Sequence, residues 1–165
     1  MGGFASLVPI ASAYTLPLTE HVTPMPPWFT HEALRLPEGT RVLAIPYATP
    51  TMTYQAEDSL RFDLEGGYVL VPGKGGASIW RQPLTGTPAI LARLSVPAVS
   101  QPRISSTETT RFRTSLRQWG VQVTVITPSI RLSYAVKYLT AVYGRRPVEQ
   151  RGAAVWYGKI PRHET

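Results

Sequence analysis

The side chains that most often carry out chemistry are sparse in this chain and poorly placed for it. The three histidines, His21, His31 and His163, lie in the N-terminal strap or the C-terminal tail, and none follows a candidate core strand. A Ser-His-Asp arrangement therefore has little to draw on. The nearest approach to a nucleophile elbow, Gly76-Ala77-Ser78-Ile79-Trp80, lacks the second glycine and is not followed by a helical pattern. The chain has no cysteine, which removes disulfides, thiol catalysis and cysteine metal sites. Glu57 and Asp58 are neighbours on a helical pattern and so point about 100° apart, a poor pair for one ion. Asp63 and Glu65 flank Leu64 and share a face of an extended segment, where the ordinary use is the polar surface of a turn. Paired carboxylates for glycoside hydrolysis would have to come from these four, and the mechanism needs a separation that sequence spacing does not set. Gly73-Lys74-Gly75-Gly76 follows an apolar run but lacks the G-x-x-x-x-G-K-[ST] spacing, which reads as a surface loop. No G-x-G-x-x-G follows the first strand either. No metal and no cofactor is expected.

Charge is unevenly distributed. The net charge is +7, yet residues 1–65 hold three Arg against seven acids, while residues 66–165 hold fourteen Lys and Arg against Glu108, Glu149 and Glu164. A basic half suggests an anionic neighbour such as lipid headgroups, phosphorylated carbohydrate or nucleic acid. The competing reading is a solvated surface from an arginine-favouring genome, since the chain has fourteen Arg, three Lys and no Asn. Arg113 and Arg117 share a helical face, but Arg111 and Arg113 do not. Arg145, Arg146 and Arg151 cluster near the C-terminal strands without a recognised nucleic-acid motif.

The positions of these groups depend on the stretch from Arg41 to Tyr68. Val42-Leu43-Ala44-Ile45 is an apolar run stopped by Pro46, and a loop with Thr49, Pro50, Thr51 and Thr53 follows. Ala56 and Leu60, four apart, mark a short helix, and Gly66-Gly67 turns into a second apolar run, Tyr68-Val69-Leu70-Val71. Strand, loop, helix, turn, strand is the grammar of a parallel α/β sheet, whose ligands lie beyond the carboxyl ends of the strands. Further on, Pro88 to Leu94 opens a short helix. Ser105 and Glu108 have the spacing of a capping box, Phe112, Leu116 and Trp119 form one stripe, and Gly120 ends that helix. Val121, Val123, Val125 and Ile126 form a third strand. Thr127-Pro128 opens another helix with a stripe of Leu132, Ala135, Val136, Leu139 and Val142, closed by Gly144. Residues 147–150 and 153–157, joined by Arg151-Gly152, read as a tight hairpin. The expected fold class is α/β: a small three-layer domain with a mostly parallel central sheet and a C-terminal β-hairpin.

The domain is expected to occupy residues 31–160, with a proline-rich arm before it and a tail over 161–165. Residues 1–19 carry no charge, but their apolar part is too short and too broken by Pro9 and Pro17 to span a bilayer at roughly 20 residues. Ala11-Ser12-Ala13 resembles a signal cleavage site, yet no Lys or Arg precedes the apolar part. The remaining readings are the exit of a membrane helix cut from a larger protein, or an edge strand or packed arm. Residues 22–30 read as an extended strap, with Trp28 and Phe29 either packing on the domain or sitting at a membrane interface.

Taken together, several motifs resemble the C-terminal extracytoplasmic domain of large actinobacterial multi-spanning membrane proteins of the GT-C glycosyltransferase type. The likeness lies in Pro27-Trp28-Phe29, in Leu36-Pro37-Glu38-Gly39-Thr40 leading into Val42–Pro46, and in Gln55-Ala56 and Arg61-Phe62 before Gly66-Gly67-Tyr68. It continues through Leu116–Val121, Tyr138–Ala141, Tyr143-Gly144-Arg145, Pro147-Val148 and Val155-Trp156. Tyr54 departs from it, because such proteins prefer tryptophan there. The resemblance implies a domain on the extracytoplasmic face of the cell membrane, tethered to a membrane domain that carries the catalytic acid and uses a polyprenyl-phosphate sugar. This chain would then be a transferase-associated, non-catalytic accessory domain of the cell wall machinery. It would bind acceptor carbohydrate or dock on the membrane domain, with its strap along the membrane surface. Tyr54, Gln55, Arg61 and Tyr68 are its candidate ligand-binding residues. Aromatic faces stack on sugar C–H groups, while Gln and Arg supply directional donors. Each has a structural alternative, since Arg61 can pair with Asp58 or Glu65 and Tyr68 can be a core strand residue. Two further readings are an independent small hydrolase or transferase at the strand ends and a basic nucleic-acid-binding domain.

Overall fold

A computed structural model describes residues 24–47, 50–65, 70–72, 78–80, 86–96, 102–128 and 133–158. The described strands form a five-stranded sheet in the order β2-β1-β5-β7-β6, with a separate two-stranded hairpin, β3-β4. The ranges are β1 Thr40–Ile45, β2 Phe62–Leu64, β3 Leu70–Pro72, β4 Ser78–Trp80, β5 Val123–Ile126, β6 Val148–Gln150 and β7 Ala153–Tyr157. The helices are α1 Pro27–His31, α2 Pro50–Glu57, α3 Thr87–Leu94, α4 Ser106–Gln118 and α5 Ser133–Tyr143, with a 3-10 turn over Ala33–Arg35. β1 is parallel to β2 on one side and to β5 on the other, while β7 is antiparallel to β5 and to β6. The expected α/β class and the C-terminal hairpin are both present.

Period-2 alternation assigns every core strand residue to one of two layers. Val42, Ala44, Val123, Val125, Ala153 and Val155 face Trp28, Phe29, Ala33, Tyr54 and Phe62. Leu43, Ile45, Ile126, Ala154 and Trp156 face the apolar sides of α3, α4 and α5. The sheet is thus covered on both faces, as a parallel sheet requires. Chain order and strand order together locate a crossing. From β1 the chain passes through α2 to β2 on one side, then returns through α3 and α4, on the other face, to β5 on β1's opposite side. β1 and β5 therefore flank a topological switch point, where open α/β sheets commonly bind ligands at the carboxyl ends.

Local chemistry accounts for the sharpest boundaries. Ser105 caps α4, its side chain accepting from the Glu108 N–H. At the other end, the Gly120 N–H donates to the Arg117 carbonyl and the Val121 N–H to that of Leu116. Gly120 has φ of +69°, completing a Schellman ending that favours glycine. The β6–β7 turn places Arg151 at φ +48° and Gly152 at +77°, the two positive values a tight hairpin of right-handed twist needs.

Two expectations are corrected. From Pro27 onward the strap is not an extended segment laid on a surface. Residues 27–31 are helical, and Trp28 and Phe29 are both 0% exposed, so neither ring is available to a bilayer. Arg151 pairs with Glu32 at 3.1 Å, tying this segment to the β6–β7 turn. The second parallel strand is also not the apolar run at 68–71. It is Phe62–Leu64, whereas Leu70–Pro72 pairs antiparallel with Ser78–Trp80.

Candidate functional site

At the switch point, Ile45 and Ile126 end in register, and the Thr127 N–H donates to the Ile45 carbonyl at 2.9 Å. The chain leaves β1 through a cis Ile45–Pro46 bond. The Tyr47 N–H then donates to Ser95 Oγ at 2.6 Å, and the Ser95 hydroxyl donates to the Leu91 carbonyl at 2.7 Å. These two bonds hold the last turn of α3 at the carboxyl edge. α4 runs away from the same edge, because its far end is followed by Gln122, whose N–H donates to the Arg41 carbonyl near the start of β1. α5 also follows the end of β5 and runs back. The last turn of α3 and the first turns of α4 and α5 therefore converge beside the strand ends.

Those turns bring together Arg93, Glu108, Tyr134 and Tyr138. Arg93 Nη2 and Glu108 Oε1 form an ion pair across α3 and α4. Glu108 sits in the first turn of its helix, where a negative charge opposes the helix dipole favourably. Tyr134 and Tyr138 lie one turn apart on α5, with ring centroids 6.2 Å apart, and Tyr138 packs edge-on to Phe112. The tyrosines are 5% and 0% exposed. The side chains of the ion pair are 35% (Arg93) and 28% (Glu108) exposed, so the pair itself meets solvent while the tyrosines do not. Arg93 Nε and the Tyr134 hydroxyl are buried without a hydrogen-bond partner, and the buried Tyr138 hydroxyl has only the Glu108 carboxylate within reach. Each such group costs about 1–3 kcal/mol if nothing meets it. Burial, and then the nearby Glu108 carboxylate, push the Tyr138 hydroxyl well above the ordinary tyrosine value. It stays protonated at neutral pH and can both donate and accept. Both tyrosines lie close enough to act electrostatically on Arg93, so the four groups form one unit.

The residues expected from sequence are placed elsewhere. Tyr54 is 6% exposed, with its ring 4.7 Å from Phe29 in the opposite core layer, so it presents no open face for stacking. Gln55 Nε2 donates to the Phe62 carbonyl at 2.8 Å. Arg61 is exposed, and its carbonyl accepts from the Gly39 N–H at 2.8 Å. Phe62 is in register with Thr40, so Gln55 and Arg61 sit at the amino edge of the sheet, opposite the switch point. The cause is the direction of α2, whose last turn lies beside the start of β2, where Gln55 reaches the Phe62 carbonyl. Tyr68 lies outside the described residues, as do His21, His163 and the loop at 73–77. His31 is exposed and held by Thr30 and the Pro27 carbonyl. Asp58 is buried, and its Oδ2 has no hydrogen-bond partner. Burial raises the Asp58 carboxyl above its ordinary range, against the opposing pull of Arg61.

Several arginines have structural duties, in the basic half and outside it. Arg113 donates through Nε to the Val142 carbonyl at 2.8 Å and through Nη2 to that of Ala141 at 3.2 Å, capping the last turn of α5. Arg145 donates to the Tyr157 carbonyl and Arg41 to that of Trp119. Among the described residues no group of three or more His, Cys, Asp or Glu could hold a metal ion, and no helix is long and apolar enough to cross a membrane.

Sequence reasoning missed Arg93, Tyr134 and Tyr138 and read Glu108 only as a capping residue. The available signal was the Tyr134/Tyr138 spacing on one helical face, polar-tipped rings in an otherwise apolar stripe. Compared with known protein families, with curated proteins and with solved structures, the chain matches none.

Proposed function

We propose that this chain is a non-catalytic accessory domain of a cell-envelope membrane glycosyltransferase, which binds acceptor carbohydrate or docks on the membrane domain. One observation carries the binding half of this reading. A charged pair and two buried tyrosines gather at the carboxyl edge beside the β1/β5 switch point, with Arg93 Nε and the Tyr134 hydroxyl left without partners. A fold that buries polar groups at this position, and leaves them unmet, supports a role in receiving a polar ligand. The motifs that resemble GT-C extracytoplasmic domains supply the setting. Many of them fall on the core outside the cluster, including Trp28, Phe29, Leu116, Leu139 and Trp156, so these describe a shared body rather than a shared site.

The test is to titrate the chain with oligosaccharides released from an actinobacterial envelope, and with detergent-solubilised envelope membranes. Saturable binding to either is expected. Binding to neither, by a chain shown to be folded, would overturn the reading.

A further inference from the structure

The composition of the Arg93–Glu108–Tyr134–Tyr138 cluster defines its ligand more narrowly than carbohydrate in general. We propose that it receives the neutral hydroxyl groups of a sugar ring, and that it does not receive the phosphate of a lipid carrier or a phosphorylated glycan. This inference rests on the binding role proposed above.

The first consideration is charge. Arg93 is ion-paired with Glu108 across the mouth of the cluster, so no net positive charge is offered to an anion. A phosphate placed there would face the Glu108 carboxylate, and like charges at close range in a poorly solvated site repel strongly. The second is the balance of donors and acceptors. Arg93 Nε can only donate, the carboxylate can only accept, and each tyrosine hydroxyl can do both. A phosphate dianion only accepts and would leave the acceptors unmet. A sugar hydroxyl donates and accepts at once, so two neighbouring hydroxyls could meet Arg93 Nε, both tyrosine hydroxyls and the carboxylate together. The third is access. Arg93 and Glu108 are partly exposed while the tyrosines are not, so a ligand reaches the hydroxyls by parting the ion pair and presenting its own hydroxyl edge there. Tyr134 and Tyr138 are held by packing within α5 and against Phe112, which fixes their hydroxyls before binding.

The experiment uses the full chain labelled with ¹³C-tyrosine, observed by NMR during titration with neutral methyl pyranosides and furanosides and, separately, with inorganic phosphate. The expected result is a saturable shift of the Tyr134 and Tyr138 ring signals with at least one glycoside and none with phosphate. Tyr134→Phe and Tyr138→Phe should each weaken that binding roughly tenfold, the loss of one hydrogen bond near a charged pair. Tyr134→Phe should keep or raise the melting temperature, because it removes a buried hydroxyl that has no partner in the free protein, and Tyr138→Phe, which gives up only the Glu108 contact, should stay folded. Arg93→Lys, which keeps the charge but loses the Nε donor, should weaken binding in the same way.

Shifts with phosphate instead of glycosides would overturn the proposal. So would glycoside binding that neither tyrosine variant weakens, which would leave a carbohydrate-binding role standing at another surface. Failure of every glycoside, with envelope oligosaccharides still bound elsewhere, would mean that the cluster holds bridging water only. Failure of both would remove the binding role as well.

Discussion

Replacing Phe29 by alanine discriminates between a strap that lines the core and a strap that lies on a membrane. The Phe29 ring is fully buried, with centroid separations of 5.0 Å to Trp28, 4.7 Å to Tyr54 and 5.8 Å to Phe62. Removing a buried phenyl ring costs about 3–5 kcal/mol, from lost transfer energy plus the cavity left behind. Three ring neighbours place Phe29 toward the upper half of that range, because aromatic contacts add about 0.5–1.5 kcal/mol each beyond simple burial. For a chain of this size each kcal/mol lowers the melting temperature by about 2–4 °C, so a fall of roughly 8–20 °C is expected. Urea unfolding followed by tryptophan fluorescence and circular dichroism measures the loss, with an unchanged slope showing that stability alone has moved. Leu34, 47% exposed on the same segment, is the control, and its replacement by alanine should stay within about 0.5 kcal/mol. A Phe29→Ala cost below about 1 kcal/mol would refute the placement of residues 27–31 in the core.

Two further outcomes follow from a buried carboxyl and from a capped helix end. Burial raises the Asp58 carboxyl above its ordinary 3.8, so the folded state holds that proton more tightly than the unfolded chain. Its contribution is complete at low pH and is lost as pH rises through the raised value. Asp58→Asn should therefore gain about 1 kcal/mol near neutral pH and much less near pH 3, measured by urea midpoints across that range; a gain independent of pH would contradict it. Arg113→Ala strips the donors from the Val142 and Ala141 carbonyls. It should cost about 1–3 kcal/mol and speed amide exchange in the last turn of α5, with Arg113→Lys recovering only part of the loss because one ammonium cannot span both carbonyls.

The parts of the fold legible in sequence were those set by local rules. Ser105, Glu108, the Phe112/Leu116/Trp119 stripe and Gly120 define α4 within one stretch, and the structure places its cap, its buried face and its Schellman ending there. Arg151-Gly152 likewise specified the β6–β7 turn without help from distant residues. β2 was not legible, because Phe62-Asp63-Leu64 is short and carries an acid at its centre. The more apolar run at 68–71 looked like the better strand, but pairing with β1, not composition, decided the parallel sheet. The strap misled for a related reason. Pro26 and Pro27 suggested an extended chain, yet Pro27 sits in the first turn of α1, where proline is tolerated and its missing N–H costs nothing.

The site was the least legible part. Its four members come from three helices and are 45 positions apart from Arg93 to Tyr138. Only the way α3, α4 and α5 meet at one end of the sheet brings them together. The residues favoured from sequence sat close together along the chain, but Gln55 and Arg61 are placed at the opposite end of the sheet and Tyr54 in the opposite core layer.

The most direct measurement is an amide NMR map of the ¹⁵N-labelled chain while envelope oligosaccharides are added. A site at the carboxyl edge predicts saturable shifts clustered on the last turn of α3 and the first turns of α4 and α5. Shifts confined to Gln55, Arg61 and their neighbours at the amino edge, or none at all, would contradict it.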